Sequence, residues 1–138
     1  MVLRLLAALA VSAAMALACD CEAPPVKDKL ALSDVVFRGT IVALRDAKPG
    51  DSYQGKIAVF RVMRVWKGSV TSVFQMPAFL ETSACIGFWP SFVYVGSELL
   101  VYASRLGGEY MTSICGDHLQ VKDADADLRV LGAGSPPK

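Results

Sequence analysis

Four cysteines limit what this chain can fold into, and two of them, Cys19 and Cys21, stand one residue apart just behind an apolar leader. Side chains two apart on an extended segment lie parallel on one face, so these two sulfurs cannot bridge each other without strain. Each must reach a distant partner, and Cys85 and Cys115 are the partners on offer. Either arrangement closes long loops, each worth roughly 4 to 5 kcal/mol in the chain-entropy account before strain is subtracted. Whatever fold forms, its leading segment is expected to be pinned at two separate places. A zinc cluster of four thiolates is the other reading of Cys-x-Cys. It is disfavoured, because structural zinc sites usually place two or more residues between paired ligands.

Residues 1–18 carry Arg4, then an apolar run broken only by Ser12, then Ala16-Leu17-Ala18. That pattern reads as a cleaved secretory signal; a membrane span needs about 20 apolar residues and rarely ends on small ones. Cleavage after Ala18 would make Cys19 the first residue, with an α-amino group on it. Lipid attachment at Cys19 is the rival reading, but Ala16 stands where lipoprotein sites usually carry Leu, and acylation would leave an odd set of three cysteines. The expected location is therefore secreted or periplasmic, with anchoring to the cell envelope as the alternative, and a membrane is a partner only if Cys19 is lipidated. Four cysteines paired in an oxidising compartment agree with export.

The remainder is sized for one domain, expected over residues 19–132, with a tail at 133–138 that holds Pro136 and Pro137 and should fray. The leader inflates the 54% apolar fraction of the whole chain, and without it the fraction falls in the range of about 45–50% usual for globular domains. The full sequence has 14 basic and 13 acidic side chains, and losing Arg4 makes the two equal. A neutral exported domain has no electrostatic reason to bind nucleic acid.

Punctuation after the leader predicts a mainly β domain. Residues 26–33 suit a short helix with Leu30 on its apolar side. Strands are expected at 35–44, with Gly39 as a bulge or bend, and at 56–66, with Phe60, Val62 and Trp66 on one face. Further strands are expected at 70–76, at 97–103 with Leu99, Val101 and Ala103 inward, and at 109–115 after a tight turn at Gly107-Gly108. Residues 77–96 read as a long connector, and 123–131 as a terminal helix with acidic residues in its first turn. Five strands separated by turns, with short helices at the ends, suit a small closed barrel.

Several stretches, taken in order, carry a resemblance. They are Cys19-Asp20-Cys21, Ser33-Asp34-Val35-Val36-Phe37-Arg38-Gly39, Trp66-Lys67-Gly68, Thr82-Ser83-Ala84-Cys85, residues 96–103, and Thr112-Ser113-Ile114-Cys115. With this cysteine order the chain resembles the amino-terminal inhibitory domain of the tissue inhibitors of metalloproteinases, a netrin-like (NTR) domain built as a five-stranded OB-fold barrel. The resemblance implies that Cys19 pairs with Cys85 and Cys21 with Cys115. It implies that Ser83 and Ala84 lie beside the amino terminus, and that the α-amino nitrogen and carbonyl oxygen of Cys19 chelate the catalytic zinc of a target protease. Asp20 would point into the adjoining pocket, where the family prefers a small or hydroxyl residue. The amine has a pKa near 8, so coordination would strengthen as pH rises through neutrality.

Other residues point to no catalysis. His118 is the only histidine, and a lone imidazole is expected at the surface more often than in a site. No nucleophile, base and orienting group assemble, so no enzyme is expected, and no cofactor. Asp123, Asp125 and Asp127 imitate a calcium loop, but Leu128 and Gly134 stand where Gly and Glu are required. Trp66 and Phe60 are better explained by core packing than as platforms for bases. The run Phe88, Trp89, Phe92, Val93 and Tyr94 either covers the barrel mouth or offers a surface to a partner. Two functions remain as expectations: an inhibitor of a zinc metalloprotease using Cys19, Asp20, Cys21, Ser83, Ala84 and Cys85, or a non-inhibitory extracytoplasmic module that binds another extracellular protein.

Overall fold

The computed structural model describes residues 19, 21–80 and 85–138. The leader assigned to residues 1–18 lies outside them. Pro24 and Pro25 keep the chain extended up to helix α1, Val26–Leu32, where Pro25 is the N-cap. Seven residues do not sustain a helix alone. Its last carbonyls find donors elsewhere: the Lys67 ammonium donates to the Leu30 and Ala31 oxygens at 2.8 and 2.9 Å, and the Lys29 oxygen accepts both the Ser33 amide at 3.0 Å and the Ser33 hydroxyl at 2.6 Å.

Strand β1, Val35–Asp46, pairs antiparallel with β2, Lys56–Lys67, which pairs with β3, Val73–Pro77. On its other edge β1 pairs with β4, Glu98–Leu106. The Gly107-Gly108 turn, with φ of 62° and 90°, leads into β5, Glu109–Met111. A further strand β6, His118–Gln120, also lies on β4, and helix α2, Asp125–Leu131, comes after it. Among the described residues the result is a mainly β domain of six antiparallel strands, ordered β3-β2-β1-β4-β5 with β6 beside β4, curled into a half-barrel of OB-fold type. Side chains rather than a ladder span the seam between the outer strands: the rings of Phe74 on β3 and Tyr110 on β5 are 5.1 Å apart.

Three bulges bend the β1–β2 ribbon. The register jumps across Val42 on β1 and across Met63 and Trp66 on β2, each an extra residue opposite an unbroken partner. Gly39 sits at one jump, and a Cβ there would stand 3.0 Å from the Arg61 carbonyl oxygen. The bulges also overturn the simple alternation expected for β2. Val65 joins Phe60 and Val62 in the inner core, whereas Trp66 turns to the opposite side.

The inner core is lined by Phe37, Ile41, Phe60, Met76, Phe88, Leu99 and Val101, with Phe37 and Phe60 in an edge contact at 5.2 Å. The outer face of β1 and β4 is covered as well: Val36, Leu100 and Tyr102 pack beneath Leu30 of α1 and Leu128 and Leu131 of α2. Residues 133–138, expected to fray, return to the sheet instead. Ser135 exchanges two backbone hydrogen bonds of 2.8 Å with Val65, and the Lys138 amide donates to the Val70 carbonyl at 2.9 Å.

The helices are joined through a buried ionic contact that sequence reading did not anticipate. Lys29 on α1 is 5% exposed; its ammonium bonds the Asp127 carboxylate at 2.7 Å and the Gly116 carbonyl at 3.1 Å, and lies 4.5 Å from the Tyr102 ring centre. The Tyr102 hydroxyl donates to the same Asp127 oxygen at 2.8 Å. Burial, and then the Asp127 carboxylate, push the Tyr102 phenol well above its ordinary range, so it stays a donor. Removing one member of such a pair strands the other. Lys29→Met is expected to lower stability by about 3 kcal/mol, and Lys29→Met with Asp127→Leu to recover much of that loss. Urea unfolding midpoints read both, and a single variant as stable as the parent would contradict the account.

Candidate functional site

The fifth strand predicted at 109–115 is broken, and the break builds the site. From Ser104 to Val101 β4 takes three steps, while the facing chain from Met111 to His118 takes seven, so four extra residues loop out between β5 and β6. Ser113 and Asp117 brace that loop: the Ser113 hydroxyl donates to the Asp117 carboxylate at 2.6 Å and accepts from the Cys115 amide at 3.2 Å. Its far end is tied to β4 by the Tyr102 amide, which donates to the Asp117 carbonyl at 2.7 Å.

Onto this loop the connector lays a short antiparallel rung. The Gly87 amide donates to the Thr112 carbonyl at 2.8 Å, and the Ile114 amide to the Cys85 carbonyl at 3.1 Å. Reaching it requires left-handed backbone at Phe79 (φ 41°), Cys85 (φ 60°) and Gly87 (φ 106°). At Gly87 a Cβ would overlap the Phe79 carbonyl, so only glycine fits. For the two residues with side chains, that conformation costs of order 1 kcal/mol each and is held only because the surroundings dictate it.

The rung sets Cys85 beside Ile114 and hence beside Cys115, and both leading cysteines bond there. Cys19 is joined to Cys85 with Cα atoms 5.6 Å apart, and Cys21 to Cys115 with Cα atoms 4.7 Å apart. This is one of the two arrangements that the cysteine positions leave open, and the one that the resemblance implies. Just beyond, Ala23 crosses so close over Gly116 that a Cβ on that glycine would lie 2.8 Å from the Ala23 Cβ. Gly116 in turn offers its carbonyl to Lys29. Cys19 and Cys21 are thus fastened by covalent bonds, Ala23 by its close approach to Gly116, and the chain then enters α1. Cys21 and Ala23 are exposed and Cys19, Cys85 and Cys115 half-buried, so the assembly forms a surface ridge. Of the predicted site residues, Cys19, Cys21 and Cys85 come together here; Asp20, Ser83 and Ala84 lie outside the described residues.

His118 corrects the expectation of a surface histidine. It is 3% exposed and packs against Phe88 and Phe92, with ring centres 4.8 and 5.8 Å away. Its Nε2 accepts the Trp89 amide hydrogen at 3.0 Å, so the ring proton resides on Nδ1, near the Thr112 hydroxyl at 3.4 Å. The imidazole joins β6 to the connector immediately after the rung. No sequence motif announced this; only the broken strand brings His118 under the connector. The aromatic run divides in two: Phe88 and Val93 are buried over the barrel mouth, while Trp89 and Tyr94 are 42% and 51% exposed.

Among the described residues no group of three or more His, Cys, Asp or Glu stands ready to hold a metal ion. The two disulfides are those of an oxidising, extracytoplasmic environment, and no described helix is long and apolar enough to cross a membrane. Compared with family models and with curated proteins, the chain matches none.

Burial depresses the His118 pKa to about 4, only partly offset by its bond to the Ser113 backbone. The unfolded chain, with an ordinary value near 6.5, therefore binds more protons in the interval between, and stability rises with pH there. His118 should contribute its full share above pH about 6.5 and lose about 3 kcal/mol as pH falls toward 4. Urea unfolding of parent and His118→Gln proteins between pH 6.5 and 5, above most carboxylate titrations, checks this. Equal slopes in the two proteins would refute it.

Proposed function

We propose that the protein is an exported inhibitor of zinc metalloproteases that works through its leading cysteine. The observation that carries this reading is the pairing of Cys19 with Cys85 and of Cys21 with Cys115, which ties both cysteines to the surface of the barrel. A catalytic zinc keeps one coordination position for water or substrate. After removal of residues 1–18, the Cys19 α-amine and carbonyl oxygen would form a five-membered chelate ring with that metal and displace the water. Asp20 would then occupy the pocket next to the metal, and Ser83 and Ala84 would flank it. Ordering a loose terminus at binding subtracts affinity, and crosslinks made during folding spare that loss.

The OB-type half-barrel supports the reading at the level of fold, which hosts many functions. The Cys19 sulfur is bonded to Cys85, and a sulfur so engaged cannot also carry a thioether-linked lipid, which favours a secreted or periplasmic protein over an anchored one. A second reading, a non-inhibitory module that binds another extracellular protein, draws on Trp89, Tyr94 and Val95, exposed by 42%, 51% and 62%.

The two readings separate on one change. Protein beginning at Cys19 is expected to inhibit a sensitive member of a zinc metalloprotease panel, and the same protein with one alanine before Cys19 to lose at least about a hundredfold in affinity, because the amine becomes an amide with no lone pair to give. Inhibition constants measure the difference. Inhibition indifferent to the alanine, or no inhibition by correctly processed and oxidised protein across the panel, would sink the inhibitor reading.

A further inference from the structure

On the outer side of β1, β2 and β3, away from the ridge residues, the sheet presents arginines interleaved with apolar side chains. Phe60 and Val62 of β2 point into the core, so Arg61 points out; the extra residue Met63 resets the phase, and Arg64 points out while Val65 turns in. Arg61 stands opposite Thr40 of β1 and Val73 of β3, and Arg64 opposite Arg38. Val42, Met63 and Val73 are 40%, 48% and 53% exposed; the first two are bulge residues.

The charge on this face is unbalanced. Arg38 is paired with Glu98 at 2.6 Å, but among the described residues the side chains of Arg61 and Arg64 have neither an ion-pair nor a hydrogen-bond partner. Like charges directly opposite on neighbouring strands destabilise a sheet, and Glu98 relieves only the Arg38 side of the facing pair. Two guanidinium groups without counter-charge, set among three exposed apolar side chains, form a surface that fits a ligand with carboxylates and apolar groups together. A phosphate backbone or an anionic bilayer would ask for more cations and fewer apolar contacts than this balanced chain supplies.

From this complementarity we infer that the outer face of β1, β2 and β3 binds an acidic segment of another protein, with carboxylates on Arg61 and Arg64 and apolar side chains over Val42, Met63 and Val73. Arginine suits the task because its planar fork takes a carboxylate at two points. The surface shares no residue with the Cys19 ridge, so it stands whether or not the chain inhibits a protease.

A fluorescent peptide of alternating Glu and Leu is the probe, with alternating Lys and Leu and all-Glu peptides beside it. The intact oxidised protein is expected to bind the Glu-Leu peptide saturably and in preference to both others. Arg61→Gln with Arg64→Gln should weaken that binding by roughly tenfold or more, while Arg64→Gln alone leaves the melting temperature unchanged or raises it, since one member of the facing arginine pair is gone. Absence of saturable binding, equal binding by the double variant, or equal affinity for the all-Glu peptide would overturn the inference. So would arginine-dependent binding of phosphatidylserine vesicles or of an oligonucleotide without binding of the Glu-Leu peptide.

Discussion

Among the described residues, Cys19 and residues 21–25 have no helix or strand before α1, and the position of the two cysteines is fixed by the rung between the connector and the loop that interrupts the last strand pair. Two backbone hydrogen bonds, Gly87 to Thr112 and Ile114 to Cys85, bring Cys85 and Cys115 to neighbouring positions. Only then can two cysteines one residue apart each find a partner. Without the rung, Cys19 and Cys21 would have to reach unrelated parts of the surface. The left-handed backbone at Phe79, Cys85 and Gly87 belongs to the same arrangement, since it is what turns the connector onto the loop.

That rung depends on the barrel beneath it. The start of β1, at Val36, and the middle of β4, at Leu100 and Tyr102, are buried on the outer face too, beneath α1 and α2, while the aromatic core fills the inside. The Lys29–Asp127–Tyr102 contact ties both helices to β4, and the Gly116 carbonyl extends it into the looped-out segment. A buried ion pair is weak evidence of net stabilisation. Its contribution here is positional: the ammonium is satisfied only when α1, α2 and the Gly116 loop take one mutual arrangement. The same contact therefore orients the helices and one wall of the ridge.

Much of the fold was legible because it obeys local rules. Val35–Asp46 and Lys56–Lys67 are long, rich in β-branched residues and bounded by turns, and the Gly107-Gly108 hairpin arises from φ values that glycine alone adopts freely. That Cys19 and Cys21 each bond a distant cysteine was legible from their spacing, whereas which of the two arrangements forms was implied only by the family resemblance. The rest depends on tertiary register. Strand alternation cannot reveal that Met63 and Trp66 are extra residues, because a bulge is defined by the partner strand. The burial of His118 and Lys29 was hidden for a related reason: each is buried by a segment distant in sequence, the connector for one and α2 with Gly116 for the other. The tail gave a misleading signal. Its prolines rule out a continued helix, but they leave Ser135 able to bridge Val65.

Two titrations bear on the ridge, and they fall in separate windows. His118 is neutral when folded down to about pH 4, so the connector and rung are intact throughout the neutral range. The proposed chelate would need an unprotonated α-amine, a group whose ordinary pKa is near 8, where the fold is indifferent to His118. A gain in inhibition between pH 7 and about 8.5 would therefore report metal coordination rather than folding. Acid acts on the other group: unfolding that charges His118 would release Trp89 and the connector, and with them the backbone rung that keeps Cys85 beside Cys115. The disulfides would survive such opening, so return to neutral pH should restore the ridge without any new crosslinking. Reduction would act in the opposite order, releasing Cys19 and Cys21 first while the inner core and the helix cover over Val36, Leu100 and Tyr102 still hold the barrel.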